Sequence, residues 1–119
     1  MLVVDDESGI RRLLRRSLER DGHQVLTATD GQEGVEVFAA QRGEIDLIIM
    51  DLKMPRKSGR EALAEIRWIE PEARVIVLSG HLQDGEPLSG AWTAIQKPID
   101  IPEFLHLVKE ALPDEEQEG

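Results

Sequence analysis

Apolar positions along this chain alternate between two spacings. Short dense runs at Leu2-Val3-Val4, Val25 to Thr29, Ile45 to Met50, Arg74 to Leu78 and Trp92 to Gln96 predict five strands. Between them the spacing is helical. Ile10, Leu13, Leu14 and Leu18 lead to a stop at Asp21-Gly22. Val35, Phe38 and Ala39 follow the turn Asp30-Gly31 and end near Gly43, and Leu63, Ile66 and Ile69 are stopped by Pro71. Phe104, Leu105, Val108 and Leu112 line a last helix, with Asp100 as its cap and Glu103 as capping-box partner. In the first helix Leu13, Leu14 and Leu18 are expected to face the sheet, with the arginines opposite. Strands and helices in strict alternation predict an α/β fold, a parallel sheet covered by helices on both faces.

The alternation falters once. From Ser79 to Gly90 a helix is due, but the residues are Ser-Gly-His-Leu-Gln-Asp-Gly-Glu-Pro-Leu-Ser-Gly. Each interior Gly costs about 1 kcal/mol and Pro about 3 kcal/mol relative to Ala, and no apolar stripe offsets them. The helix between the fourth and fifth strands is therefore predicted to be missing or degenerate, a loop with at most one turn.

With 119 residues, 40% hydrophobic and 32% charged, the chain is long enough for one core without staples. That one domain is placed in residues 1–112, and residues 113–119, with Asp114, Glu115, Glu116 and Glu118, read as an acidic tail or the start of a linker. The absence of cysteine excludes disulfides and thiolate metal sites and fits a reducing cytoplasm. Apolar runs stop at four residues, so no membrane span is expected. A net charge of −10 argues against direct binding of nucleic acid. Arg11, Arg12, Arg15 and Arg16 are the basic exception, either a solvated helix face or a docking surface.

Chemistry gathers where strands end. Asp5 and Asp6 follow the first strand, Asp51 the third, Ser79 the fourth and Lys97 the fifth. In a parallel sheet these points share the carboxyl edge, where open α/β folds bind ligands. Adjacent carboxylates need a cation between them, and an all-oxygen set suits Mg²⁺. Lys97 would place charge, and Ser79 a hydrogen-bond donor, on the oxygens of a phosphoryl group. Any one of these residues could instead cap a helix or face water; capping does not account for a Ser and a Lys at the same edge.

The ordered set Asp5-Asp6-Glu7, Asp51-x-x-Met54-Pro55-x-x-x-Gly59, Ser79 and Lys97-Pro98 resembles the receiver domains of two-component response regulators over nearly the whole chain. The resemblance implies a flavodoxin-like, doubly wound five-stranded sheet in the order 2-1-3-4-5. It implies that Asp51 is the phosphoacceptor and that Asp6, Asp51 and the backbone carbonyl of Lys53 bind Mg²⁺ directly. Asp5 would act mainly through water, Ser79 and Lys97 would contact the phosphoryl group, and the Lys97-Pro98 bond would be cis.

On this reading the chain is a signalling phosphoacceptor rather than an enzyme, although it assists its own phosphorylation and dephosphorylation. Its donor would be a histidine kinase or phosphotransfer protein, docked on the first helix, and its output a downstream effector domain or protein. The side chain of Lys53 and that of His81 would tune loss of the phosphoryl group, while His23 and His106 read as structural or surface residues. One departure from the family stands out: the aromatic switch residue three positions before the site lysine is Ala94. Phosphorylation would then act by ordering Ser79 to Gly90. Two rivals remain: a binding-only receiver-like module with an atypical output surface, and an Asp-nucleophile phosphohydrolase, which generally needs a second Asp where this chain has Lys53.

Overall fold

Five short parallel strands pair in the order β2-β1-β3-β4-β5. The computed structural model describes residues 1–80 and 90–112. Along the chain lie β1 (Leu2–Val4), α1 (Ser8–Arg20), β2 (Leu26–Ala28), α2 (Gly31–Gln41), β3 (Ile48–Asp51), α3 (Gly59–Ile69), β4 (Val75–Ser79), β5 (Thr93–Gln96) and α4 (Ile101–Ala111). The doubly wound α/β architecture expected from the alternation is the one observed, in the expected strand order.

The strands are apolar on both faces because each face carries its own core. Side chains alternate across a strand, so Val3, Ile49, Ile76 and Leu78 pack with Leu14 and Leu18 of α1 and Phe104 and Val108 of α4. Leu2, Val4, Ile48, Met50, Val75 and Val77 pack with Val35 and Phe38 of α2 and Leu63 and Ile66 of α3. Each fully buried aliphatic or aromatic side chain contributes on the order of 1.5–3 kcal/mol.

Element limits differ from the expected ones at informative places. Ile45, Asp46 and Leu47 lie outside β3, which instead runs on to include Asp51, and β4 includes Ser79. β2 loses Val25 and Thr29, and α2 ends at Gln41. Leu13 does not face the sheet; it is 47% exposed. Ile10, Leu14 and Leu18 follow a four-residue stripe, which turns Leu13 about 100° away from Leu14. Arg11, three residues before Leu14, falls on the stripe instead and is half-buried, donating to the Asp5 carbonyl at 2.8 Å.

Asp100 does occupy the N-cap of α4 but makes no side-chain capping bond. A cap side chain serves the amides of the second and third helical residues; Pro102 is the second and has none to offer. The capping box belongs to α3, where Ser58 Oγ accepts from the Glu61 amide and Glu61 Oε1 from the Ser58 amide, both at 3.2 Å. The expectation of a missing or degenerate helix, and with it the role of His81, falls on residues 81–89, outside the described residues. Four helices are present among the described residues, and Gly90 enters β5 with φ of 97°.

α2 is anchored at its start by charge. Asp30 is buried, its Oδ1 accepts from the Glu33 amide at 2.8 Å, and Arg56 of the β3–α3 loop grips both oxygens, Nε at 2.8 Å and Nη2 at 3.0 Å. The Arg56 bonds, then the Glu33 amide, hold the Asp30 carboxyl below its ordinary value of 3.8.

Two outcomes test this architecture. Leu14→Ala should cost about 2–5 kcal/mol in urea unfolding, as buried truncations do, whereas Leu13→Ala should stay within about 1 kcal/mol. Asp30, depressed in the folded state, contributes stability above its unfolded pKa that is lost as pH falls through the folded value. The stability difference between wild type and Arg56→Ala should therefore be present at pH 7 and shrink below about pH 4, and an NMR titration should find the Asp30 pKa raised in the variant.

Candidate functional site

The carboxyl edge of the sheet collects the polar residues that the cores exclude. Val4 is level with Met50, so Asp5 and Asp51, each one residue further on, end adjacent strands side by side. Asp51 is level with Leu78, and Ser79 with Gln96, which carries Lys97 to the same edge. The Lys97 amide donates to the Ser79 carbonyl at 2.8 Å, so the two residues predicted to act together are joined by their backbones. Asp5, Asp51 and Ser79 are buried, and Asp6 is exposed.

Carboxylate oxygens of Asp5, Asp6 and Asp51 all lie within 4.8 Å of one another. Lys97 Nζ stands 3.2 Å from Asp51 Oδ2, 3.5 Å from Asp5 Oδ2 and 3.9 Å from Glu7 Oε1. Burial raises the Asp5 carboxyl, and the neighbouring Asp51 charge adds to this; the Glu7 amide, donating to Asp5 Oδ1 at 2.9 Å, and Lys97 offset it only in part. Lys97 is drawn down by burial, but the two carboxylates outweigh that and raise it, so it remains an ammonium at neutral pH. Three carboxylates face one ammonium, an arrangement whose residual charge favours a further cation.

The loop after Asp51 folds back tightly. The Gly59 amide donates to the Leu52 carbonyl at 2.9 Å, and a Cβ at Gly59 would collide with the Asp51 carbonyl. The Lys53 amide approaches Asp51 Oδ1 at 3.4 Å while its side chain is exposed. The Lys97-Pro98 bond is cis. Ala94 is half-buried on the α2/α3 side. His23 is half-buried, and His106 is exposed and paired with Glu110 at 2.6 Å.

Every described residue expected at the site is thus at this edge. Two supporting roles are not announced by the site motifs. Arg11, on the Asp5 carbonyl, could have been found from its place three residues before Leu14. Arg56 reaches Asp30, 26 residues away, and no local signal announces it.

Comparison with known proteins agrees with this geometry. The family model for the response regulator receiver domain matches residues 1–109. Sporulation initiation phosphotransferase F of Bacillus subtilis is 34% identical, with 95% of this chain and 93% of that protein covered. A receiver domain protein from Clostridium thermocellum superposes with a TM-score of 0.88 at 36% identity, covering 99% of this chain and 97% of that one. A chain of the CheX-CheY-BeF3-Mg+2 complex from Borrelia burgdorferi also gives 0.88, at 30% identity, covering 92% and 85%. Other matches are longer, and the chain spans 26% of two transcriptional regulatory proteins of Escherichia coli. With a family model matching nearly its whole length, this chain belongs to the response regulator receiver domains.

Proposed function

We propose that this receiver domain accepts a phosphoryl group on Asp51 from a phosphohistidine of a kinase or phosphotransfer protein. The observation that carries the reading is the Asp5-Asp6-Asp51 cluster facing Lys97 at the sheet edge. Asp51 Oδ would form the new bond to phosphorus as the bond to the histidine nitrogen breaks. With the other ring nitrogen protonated in the phosphohistidine, the electron pair returns to a neutral imidazole on the donor and an acyl phosphate remains on Asp51. Lys97 is held as an ammonium, placed to balance charge on the phosphoryl oxygens. Ser79, buried one strand away, would donate a hydrogen bond to another of them.

The donor set fits Mg²⁺: every ligand is a hard oxygen, from Asp5, Asp6 and Asp51, with the Lys53 carbonyl as a further candidate. When bound, the ion would supply charge neutralisation for the transferring group. The solved receiver chain in a complex with BeF3 and Mg supports carrying that chemistry to this fold. Removal of the phosphoryl group by water would follow, and the chain would act as a signalling phosphoacceptor rather than transform a free metabolite.

The donor's docking surface would be α1. Arg12, Arg15 and Arg16 stand exposed on it beside Leu13, and a groove lined by Ser8, Arg11, Arg12, Arg15 and Thr27 runs toward β2. Arginine is enriched at protein interfaces, and three exposed arginines on one helix give a negatively charged donor surface something to meet. No helix among the described residues is long and apolar enough to cross a membrane.

Intact-mass measurement with Mg²⁺ and acetyl phosphate should find one phosphoryl group on the wild type and none on Asp51→Asn. Equal gain in the variant would place the acceptor elsewhere. Charge reversal at Arg12 and Arg16 should slow transfer from the cognate kinase about tenfold, since lost charge complementarity slows association, and leave the acetyl phosphate reaction unchanged. If both reactions slow together, α1 acts on the site itself and not on the donor.

A further inference from the structure

Arg56 is the one non-glycine residue with positive φ among the described residues, at 65°. The Lys57 amide donates across it to the Pro55 carbonyl at 2.7 Å, closing a γ-turn of the rare, strained hand. Left-handed backbone at a residue with a Cβ costs on the order of 1–3 kcal/mol and persists only where its surroundings hold it. Glycine would relieve that cost, and glycine stands at the other positive-φ positions among the described residues, Gly22 and Gly90.

The side chain supplies the reason for Arg at this position. Its guanidinium takes both oxygens of Asp30, the buried residue that also caps α2. Beside the fork, the Lys57 carbonyl lies against Gly31, where a Cβ would collide with it. The middle of the β3–α3 loop is thus fastened to the first turn of α2 by an ion pair and a close backbone contact. The loop begins at Leu52, directly after Asp51, and Lys53 lies three residues before Arg56.

We propose that Arg56 is a positioning residue for cation binding at the carboxylate cluster. Its fork to Asp30 latches the β3–α3 loop onto α2 and holds the segment that carries Asp51 and the Lys53 carbonyl. This rests on the reading of the cluster as a Mg²⁺ site. Coupling between two sites is reciprocal, so cation binding at the edge also steadies the first turn of α2.

The test uses the full chain and MgCl₂ in titration calorimetry, with amide hydrogen exchange as a second readout. Arg56→Gly accepts the left-handed turn without strain and removes the fork, and Arg56→Lys, which keeps the Cβ, controls for the added backbone freedom. It should bind Mg²⁺ several-fold more weakly, toward the lower end of the roughly 10–100-fold seen for outer-shell partners. Asp30→Asn, which can still cap α2, should weaken binding by a similar factor, and the double variant by no more than either alone. Arg56→Lys, a single charge without the fork, should fall between. Mg²⁺ should slow exchange of the Glu33 and Gly34 amides in the wild type and leave them unchanged in Arg56→Gly. Wild-type affinity in Arg56→Gly beside weakened binding in Asp6→Ala overturns the latch and leaves the Mg²⁺ reading standing. Wild-type affinity in Asp6→Ala overturns both.

Discussion

Two carboxylates withdrawn from water at the ends of neighbouring strands set the terms for the rest of this molecule. Asp5 is fully buried and Asp51 nearly so, and Lys97 is the ammonium that faces both. Like charges at this range raise each other's free energy steeply where water is scarce. Burial first, and the neighbouring Asp51 charge after it, raise the Asp5 carboxyl above its ordinary value. A fold assembled only for stability would do better with apolar or singly charged residues here. The cluster is therefore read as a site whose unsatisfied charge is kept for a cation and an anionic group.

The sheet delivers this arrangement through register alone. Val4 opposite Met50, and Ser79 opposite Gln96, carry residues as far apart in sequence as Asp5 and Lys97 to one edge. Two closely packed cores fix that register, because a slip of one residue would exchange the side chains that fit each of them. Loops then refine the position. Gly59 lets the chain double back against the Asp51 carbonyl, and Gly31 lets it lie against α2. At Arg56 the backbone strain is offset by the ion pair to Asp30. The site is built on strand ends and adjusted from the loop side.

Much of this was legible in the sequence, for reasons that also mark the limit. Strand ends are visible as the end of an apolar run, so Asp5, Asp51, Ser79 and Lys97 could be placed on one edge without coordinates. Helix faces are less forgiving: Leu13 and Leu14 look alike in sequence, and only the four-residue stripe through Ile10, Leu14 and Leu18 decides between them. Asp100 fits the capping pattern, but Pro102 removes one of the amides it would serve. The capping box at Ser58 and Glu61 follows the loop 52–57, where no apolar run marks the helix start. The Arg56–Asp30 fork depends on a left-handed turn and on the approach of two loops, neither of which has a local signature.

The central claim concerns one oxygen atom type on one residue, and chemistry can read it directly. Protein treated with acetyl phosphate and Mg²⁺, then reduced with borohydride and digested, should yield homoserine in place of Asp51, because an acyl phosphate is reduced to the alcohol while a free carboxylate is not. Homoserine at Asp5 or Asp6, or an acid-stable phosphate ester on Ser79 with Asp51 unchanged, would contradict the account.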